Sequence, residues 1–281
     1  MNLWRAAREG ARRVRRLAAD QECAERLTVL EAELAGTRRE LRQVRRQLRS
    51  ARGSITEAQH ALPDDVERVI VSVKEQRLTL LGARHLRNLA TCVRHIEAAG
   101  VPGVIIEAGT AQGGSAIVIA AAKAVDRAMR VYDVFGMIPA PGEGDGADVH
   151  RRYRTIASGA AQGLGEDVYY GYHEDLYGEV RASFARLGLP AEENNVELVK
   201  GLFEDTLQID GPVAFAHLDG DWYESTMTCL SRIAPRLSPG GRIVIDDYYA
   251  WSGCRRAVDD YFRGRDGFRL LPRAKLHVIR V

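Results

Sequence analysis

The sequence of 281 residues has little sulfur from which to build a metal centre or a disulfide framework, because it contains only four cysteines. None of them stands at the spacing of a zinc site or forms a CxxC pair, so we expect reduced thiols and a cytoplasmic protein. The sequence also lacks a run of the ~18 apolar residues that a membrane span needs and the apolar core of a signal peptide. These absences argue against a disulfide-stapled secreted protein and against a transmembrane protein.

Lysine is nearly absent, since 36 of the 40 basic residues are arginine, and the positive charge is unevenly placed. Residues 1–52 hold 14 arginines against seven acidic residues, whereas the remainder of the chain is mildly acidic. A mildly acidic main part has no general need for a polyanionic partner. Acidic residues also interrupt the basic arm, so we expect no nucleic-acid partner.

The N-terminal arm, residues 1–55, is predicted to be a basic helical and coiled-coil segment. Between residues 27 and 48, leucine and valine recur at alternating spacings of three and four, and only Thr37 interrupts this pattern of a short coiled coil. We therefore expect a homo-oligomer that forms through residues 27–48. The arginine-rich segment upstream leaves a second role open, namely peripheral recruitment to an anionic membrane.

Residues 64–281 are predicted to form one α/β domain. Short β-branched runs alternate with helical segments, which is typical of βαβ units, so we expect a doubly wound, mostly parallel sheet with helices on both faces. Residues 136–177 lack clear periodicity and hold five tyrosines, which predicts a loop that closes over a substrate. The expected strands are centred on 104–106, 129–131, 196–199, 213–218, 242–245 and 277–281.

Motifs that follow the first three strands are typical of a nucleoside-binding crevice. Residues 107–115, EAGTAQGGS, form a glycine-rich turn between a strand and a helix, where exposed amides favour a carboxylate or phosphate. The turn lacks the spacing of a dinucleotide fingerprint and the Lys-Ser/Thr of a P-loop. Asp133 ends the second strand, where a carboxylate typically accepts both ribose hydroxyls. Phe203, after the third strand, offers a platform for adenine.

Four carboxylates follow the next two strands: Asp219 and Asp221 after the fourth, Asp246 and Asp247 after the fifth. Because neighbouring parallel strands end at the same crevice, we expect the four to converge. Such a cluster is costly unless a cation neutralises it, and oxygen ligands alone favour Mg²⁺, with Mn²⁺ or Ca²⁺ as alternatives. A metal site beside a nucleoside-binding crevice that has no triphosphate-binding motif points to S-adenosylmethionine as the cofactor.

Several segments together resemble the macrocin O-methyltransferase family. The resemblance covers about residues 75–263 and implies a metal-dependent sugar O-methyltransferase on a class I Rossmann-like methyltransferase fold. The sequence departs from the family pattern in the glycine turn, which has no cysteine after the glutamate, and after Asp133, where Val-Phe-Gly replaces the usual Ser-Phe-Glu-Gly. The matching segments are VPGVIIEAGTAQGGS, YDVFGMIPAP, GLFEDTL, HLDGDWYESTM, SPGGRIVIDDY and CRRAVDDYF.

The resemblance also implies roles for individual residues and a sugar-containing acceptor. It places the metal on Asp219, Asp246 and Asp247, with Asp221 beside them. It makes His150 the leading general base, and Asp221 the alternative. Together with the adenine platform, the predicted cofactor-binding residues are Glu107, Gly109, Thr110, Gly113, Gly114, Ser115, Asp133, Phe203 and Asp219.

Two other functions remain open from the sequence. A catechol has vicinal hydroxyls that chelate a metal as those of a sugar do, so a phenolic O-methyltransferase fits the same site. A non-catalytic scaffold, in which the coiled-coil arm acts and the crevice is vestigial, fits the arm. The presence of every metal-ligand residue argues against the scaffold.

Overall fold

The computed structural model describes residues 62–281, so the predicted arm and its coiled coil at 27–48 lie outside the described residues. The helices within this range are α1 (Asp64–Glu75), α2 (Ala83–Ala98), α3 (Gly114–Ala122), α4 (Ala147–Ala157), α5 (Leu176–Arg186), α6 (Phe203–Thr206), α7 (Tyr223–Ile233) and α8 (Ser252–Phe262). The strands are β1 (Val104–Ala108), β2 (Met129–Asp133), β3 (Val196–Lys200), β4 (Val213–Leu218), β5 (Leu237–Ile245), β6 (Phe268–Pro272) and β7 (Leu276–Arg280).

The strands form one sheet in the order β3-β2-β1-β4-β5-β7-β6. The first five strands in that order are parallel, and β7 and β6 are added antiparallel at one edge. The predicted α/β class and mostly parallel sheet are confirmed. The sequence prediction missed β6, because this half-exposed edge strand, FRLLP, lacks the apolar run that marks a buried strand.

The sheet is covered on both faces, and successive strand residues alternate between them. Ile105 packs on the face that carries α1, α2, α3 and α5, whereas Ile106 packs on the face that carries α7 and α8. Glu107 therefore lies on the same face as Ile105, and its register partner on β4 is His217. The alternation places two ionisable side chains next to each other inside an otherwise apolar layer.

The segment 136–177 contains more regular structure than the sequence predicted. It includes α4 and a short 3-10 helix, Tyr170–Tyr172. The expectation of an aperiodic loop was wrong for residues 147–157, which form α4. The sequence does not show this helix because only two of its residues, Val149 and Ile156, are buried, and they lie two turns apart. Two apolar positions at that distance are too few to reveal helical periodicity.

Two carboxylates fasten the start of this segment above the sheet. The Asp145 carboxylate accepts a hydrogen bond from the Tyr223 amide (2.8 Å), and Asp148 accepts one from the Ser252 amide (3.0 Å). Tyr223 and Ser252 begin the helices that follow β4 and β5. Acidic groups at helix N-termini are favourable, so these contacts hold the segment beside the carboxyl ends of both strands.

The strand order reverses between β1 and β4, since the chain runs from β1 to β2 on one side and later returns to β4 on the other. A crevice outside the carboxyl ends of the strands is the usual ligand site at such a switch point. The motifs after β1, β2, β4 and β5 all open onto this crevice. None of the helices in residues 62–281 has the length and apolar character required to cross a membrane.

Candidate active site

The turn after β1, which we call the glycine loop (residues 109–113), approaches the backbone after β4 very closely. Gly109 has φ +87°, and a Cβ built on it would lie 2.0 Å from the Asp219 carbonyl oxygen. The Asp219 amide donates to the Ala108 carbonyl at 2.9 Å. Only glycine fits this left-handed, crowded position, so Gly109 allows the glycine loop to pack against the backbone of Asp219, the first of the predicted metal ligands.

Asp133 lies where the sequence predicted, at the end of β2, and it fixes the glycine loop. Its Oδ2 accepts hydrogen bonds from the amides of Thr110 (2.7 Å) and Ala111 (3.1 Å), and its Oδ1 accepts one from Phe135 (2.7 Å). Burial raises the pKa of Asp133 above its ordinary value, while these amides oppose the increase. A fixing role for Asp133 was not predicted, and its contact with a ribose stays a prediction.

The glycine loop has fewer free amides than expected. The Gly113 amide donates to the Thr110 carbonyl (2.8 Å), and the Gly114 amide donates to the Leu78 carbonyl (2.9 Å). The expectation of exposed amides was therefore wrong at Gly113 and Gly114, as it was at the two amides bound to Asp133. The hydroxyl of Thr110 is different, because it is buried and has no hydrogen-bond partner within residues 62–281. An orphaned hydroxyl fits a bound cofactor with a polar group at that position.

The other predicted cofactor residues occupy the base and the rim of the same crevice. Glu107 is fully buried, and its Oε1 accepts a hydrogen bond from the Ser115 hydroxyl at 2.5 Å. Phe203, the first residue of α6, packs toward Gly220, where a built Cβ would lie 3.5 Å from its ring. The structure thus places Phe203 beside the Asp219–Asp221 turn, and its stacking with adenine stays a prediction.

Three carboxylates come together at the end of β4 and β5, and we call Asp219, Asp221 and Asp247 the carboxylate cluster. One oxygen from each lies within 4.8 Å of the others. The Asp221 backbone has φ +55°, a left-handed conformation rare outside glycine. The salt bridges described within residues 62–281 include none to these three groups. Three oxygen donors that face one another without an ionic partner suit a hard divalent cation.

Mutual proximity changes the acidity of the carboxylate cluster. Burial, together with the charges of the neighbouring carboxylates, raises the pKa of Asp219 well above its ordinary value. Burial and the charge of Asp247 do the same to the pKa of Asp221. Burial and the charge of Asp246 raise the pKa of Asp247 to about 6. The cluster therefore holds protons tightly when no cation is present.

The fourth carboxylate, Asp246, has a different environment. Its Oδ2 accepts a hydrogen bond from Lys275 Nζ at 2.5 Å, and its Oδ1 lies 3.6 Å from His217 Nε2. Burial opposes the ionisation of Asp246, but the charges of His217 and Lys275 outweigh it and lower its pKa. The structure therefore groups Asp221 with Asp219 and Asp247, whereas the resemblance implied Asp246 in that place.

His217 connects Asp246 to the base of the glycine loop. Its Nδ1 lies 3.2 Å from Glu107 Oε1, and its side chain is fully buried. Burial lowers the pKa of His217, but Glu107 and Asp246 outweigh burial and raise it to about 10. Sequence reasoning missed both His217 and Lys275. The signal for His217 is a single histidine inside the apolar strand AFAHL, whereas Lys275 lies in a hairpin far along the chain.

The helix α4 carries Arg152, whose charge acts on the carboxylate cluster. Burial and Asp247 raise the pKa of Asp221, and the charge of Arg152 partly opposes this rise. The Arg152 guanidinium lies 5.6 Å from the centre of the Tyr169 ring. Burial raises the pKa of the Tyr169 and Tyr170 hydroxyls, and the charge of Asp221 raises each of them further. Both tyrosines therefore lie near Asp221. The half-buried His150 makes no hydrogen bond or ion pair with residues 62–281 that the structure describes, and its role as base stays a prediction.

Two tryptophans complete the wall beside Asp221. Trp251 Nε1 donates to Asp221 Oδ1 at 2.9 Å, and Trp222 Nε1 donates to the Pro139 carbonyl at 3.0 Å. Their rings meet edge to face at 5.9 Å. The hydrogen bond from Trp251 fixes the direction of the Asp221 carboxylate, a role that the sequence motifs did not reveal.

Comparison with known proteins gives this arrangement a context. The sequence pattern of the family described as Macrocin-O-methyltransferase (TylF) matches residues 30–269. The 8-demethyl-8-(2,3-dimethoxy-alpha-L-rhamnosyl)-tetracenomycin-C 4'-O-methyltransferase of Streptomyces olivaceus is 40% identical over 195 residues, which cover 67% of this chain and 69% of that relative. Mycinamicin III 3''-O-methyltransferase of Micromonospora griseorubida is 33% identical over 199 residues, covering 67% of this chain and 71% of that relative.

Solved structures agree with the fold. The O-methyltransferase NovP matches with a TM-score of 0.60 and 30% identity, over 72% of this chain and 82% of that chain. A Podospora anserina methyltransferase, PaMTH1, matches with a TM-score of 0.51 and 16% identity, over 83% of this chain and 95% of that chain, which shows likeness of fold alone. The predicted class I methyltransferase fold is thereby confirmed for the α/β part of the chain.

Proposed function

The chain belongs to the macrocin O-methyltransferase family, and from this premise we propose that it transfers a methyl group from S-adenosylmethionine to a sugar hydroxyl of a glycosylated natural product. Family membership makes the chain an O-methyltransferase. The 40% identity to a relative named for a rhamnosyl-bearing tetracenomycin supports the sugar. The catechol alternative has no comparable support, and the non-catalytic scaffold is disfavoured by the family.

The observation that carries the proposal is the carboxylate cluster beside the glycine loop. Asp219 belongs to the cluster, and its backbone lies against Gly109, so one crevice serves both the methyl donor and the reacting hydroxyl. Asp219, Asp221 and Asp247 would hold Mg²⁺, with Mn²⁺ or Ca²⁺ as alternatives, and Asp246 is the fourth carboxylate within reach. A bound divalent ion supplies Lewis-acid chemistry, which favours the ionised form of a coordinated hydroxyl.

The chain's own residues orient the reactants. Asp133 holds the glycine loop in place for the donor, and Phe203 covers one side of the crevice for adenine. Arg152 and the pair Tyr169 and Tyr170 form the wall that faces the acceptor and excludes water from the carboxylates. Binding two reactants in one fixed geometry makes the reaction effectively unimolecular, which is a large part of catalysis.

We propose His150 as the base that takes the proton of the hydroxyl, with Asp221 as the alternative. The helix α4, which carries His150, is anchored beside the ends of β4 and β5 through Asp148. Trp251 fixes one oxygen of Asp221, so Asp221 can act as the base only where that carboxylate does not bind the ion. Positioned general bases typically contribute on the order of 10²- to 10⁴-fold to a rate.

The first test is calorimetric binding of S-adenosylmethionine to the full chain, with and without Mg²⁺. We expect micromolar binding by the wild type and loss of binding by Asp133→Ala, whereas the exposed control Asp126→Ala should bind normally. Methyl transfer from labelled S-adenosylmethionine is then measured against a panel of rhamnosylated natural products and a panel of catechols. A well-folded protein that binds no S-adenosylmethionine, or that methylates only catechols, would contradict the proposal.

We also propose the predicted arrangement of the rest of the chain. Residues 64–281 act as the methyltransferase domain, and residues 1–55 form an arm through which positions 27–48 associate in a homo-oligomer. Peripheral membrane recruitment by this arm and a cytoplasmic location remain part of the proposal. Cys92, Cys229 and Cys254 are free thiols, in keeping with a reducing compartment. Sedimentation of the full chain against a chain that begins at Ser54 tests the arm, because only the full chain should oligomerise.

A further inference from the structure

Lys275 occupies an unusual place for a lysine in a chain that has only four. It lies in the turn of the β6–β7 hairpin, its ammonium group is 2.5 Å from Asp246 Oδ2, and 18% of its side chain is exposed. The hairpin joins the sheet through antiparallel pairing of β7 with β5, the strand that directly precedes Asp246. The last hairpin of the fold thus delivers a flexible cation to the edge of the carboxylate cluster.

The buried groups around Asp246 are balanced in charge without any added ion. Glu107 and Asp246 are two carboxylates, and His217 and Lys275 are two cations placed between and beside them at distances of 2.5–3.6 Å. Buried charges are tolerated when they are paired in this way. Asp246 therefore has its ionic partners within the protein already.

The carboxylate cluster next to it has the opposite property. Asp219, Asp221 and Asp247 face one another, and the described salt bridges neutralise none of them. A divalent ion bound there would attract the negative charge of Asp246, because Asp246 directly precedes Asp247 at the end of β5. Asp246 could turn one more oxygen to that ion only in competition with Lys275.

We propose that Lys275 is a resident counter-cation that competes with the divalent metal ion for Asp246, and that it leaves Asp246 when the ion binds. The proposal rests on the metal site of the proposed function. The lysine stem is long and flexible and its head is partly exposed, so the ammonium group can move from Asp246 into water. Lys275 thereby keeps Asp246 in place without metal and weakens metal affinity.

The first experiment measures Mg²⁺ binding to the full chain by calorimetry. We expect Lys275→Gln to bind Mg²⁺ at least about tenfold more tightly than the wild type, because Asp246 is then released to the ion. The matched control is Arg273→Gln, which removes an equal charge from the same turn without touching Asp246. This control should change the affinity less than about twofold, since an exposed charge is screened by solvent.

A double-mutant cycle isolates the competition. In an Asp246→Asn background, Lys275→Gln should no longer tighten Mg²⁺ binding, because the group for which lysine and metal compete is gone. Equal tightening by Lys275→Gln and Arg273→Gln, or tightening that persists with Asp246→Asn, would overturn the proposal. If the wild type and Lys275→Gln both bind no Mg²⁺, the metal part of the proposed function fails, and the inference about Lys275 fails with it.

A measurement on the wild type needs no substitution at all. Acylation of lysines by acetic anhydride, mapped by mass spectrometry, reports how free each ammonium group is. Saturating Mg²⁺ should increase the labelling rate of Lys275 several-fold, while the exposed Lys200 serves as the internal standard and should not change. A labelling rate of Lys275 that Mg²⁺ leaves unchanged, with Mg²⁺ binding confirmed by calorimetry, would overturn the proposal.

Discussion

The glycine loop and the carboxylate cluster lie in contact, yet the protein treats their polar groups in opposite ways. Around the glycine loop, the Asp133 carboxylate accepts hydrogen bonds from three backbone amides, so the carboxylate and these amides all have hydrogen-bond partners. In the carboxylate cluster, three acids face one another, and none of them forms a salt bridge with another residue of the described range 62–281. In the first region the carboxylate has partners within the protein, whereas the acids of the second region have no ionic partner among residues 62–281. Removing an acid should therefore harm the first region and relax the second.

The largest expected effect tests the carboxylate cluster. Asp219→Asn should weaken Mg²⁺ binding and slow methyl transfer by about 10²-fold or more, because it removes a charged oxygen ligand. The same substitution should raise the melting temperature in chelator, since it removes repulsion between closely spaced acids. Calorimetry and thermal unfolding measure both, with the exposed Asp266→Asn as control. If Asp219→Asn melts at a lower temperature than the wild type in chelator and still binds Mg²⁺ normally, the two regions do not differ in the way described.

The opposite result is expected in the glycine loop. Asp133→Ala leaves the amides of Thr110, Ala111 and Phe135 without their acceptor, and unsatisfied buried donors cost about 1–3 kcal/mol each. We expect the free energy of unfolding to fall by about 3 kcal/mol in urea denaturation, allowing for partial hydration of the loop. The exposed Asp126→Ala should change it by less than about 0.5 kcal/mol. Stabilisation by Asp133→Ala would mean that this region resembles the carboxylate cluster.

The pH dependence of stability separates the regions further. The pKa of Asp247 is raised to about 6, so the folded protein keeps a proton that the unfolded chain releases near its ordinary pKa. Its contribution is complete below about pH 4 and is lost as pH rises through 6. In chelator, we expect the wild type to lose roughly 2 kcal/mol over this range relative to Asp247→Asn. Parallel stability curves for the two proteins would show that Asp247 has an ordinary acidity.

The smallest expected effect concerns the orientation of one acid in the cluster. Trp251→Phe removes the hydrogen bond to Asp221 and should lower the methyl transfer rate about threefold to tenfold, with a loss of about 1 kcal/mol in stability. Trp222→Phe is the matched control, because it removes an indole hydrogen bond to the Pro139 carbonyl and should affect stability alone. Equal rates for both variants would show that Asp221 needs no such support.

The sequence predicts those parts of the site that depend on local order along the chain. Asp133, Asp219 and Asp247 lie at the ends of strands whose apolar runs are plain, and parallel strands bring their ends together. The environment of Asp246 could not be predicted, because it depends on a hairpin that pairs with β5 antiparallel and on His217, a buried side chain in a neighbouring strand. Such contacts are set by pairing and register between distant segments, which periodicity does not encode.

The hydrogen bonds of Asp133 affect the rate of ligand association and the entropy change on binding. The backbone of the glycine loop is already ordered in the free protein, so an incoming nucleoside finds its binding surface formed rather than having to fold it. Association of this kind loses little backbone entropy, and its rate is set by diffusion and the opening of the crevice rather than by loop ordering. The backbone of that loop loses its entropy once, when the chain folds, so binding of the nucleoside does not incur this loss again in each catalytic cycle.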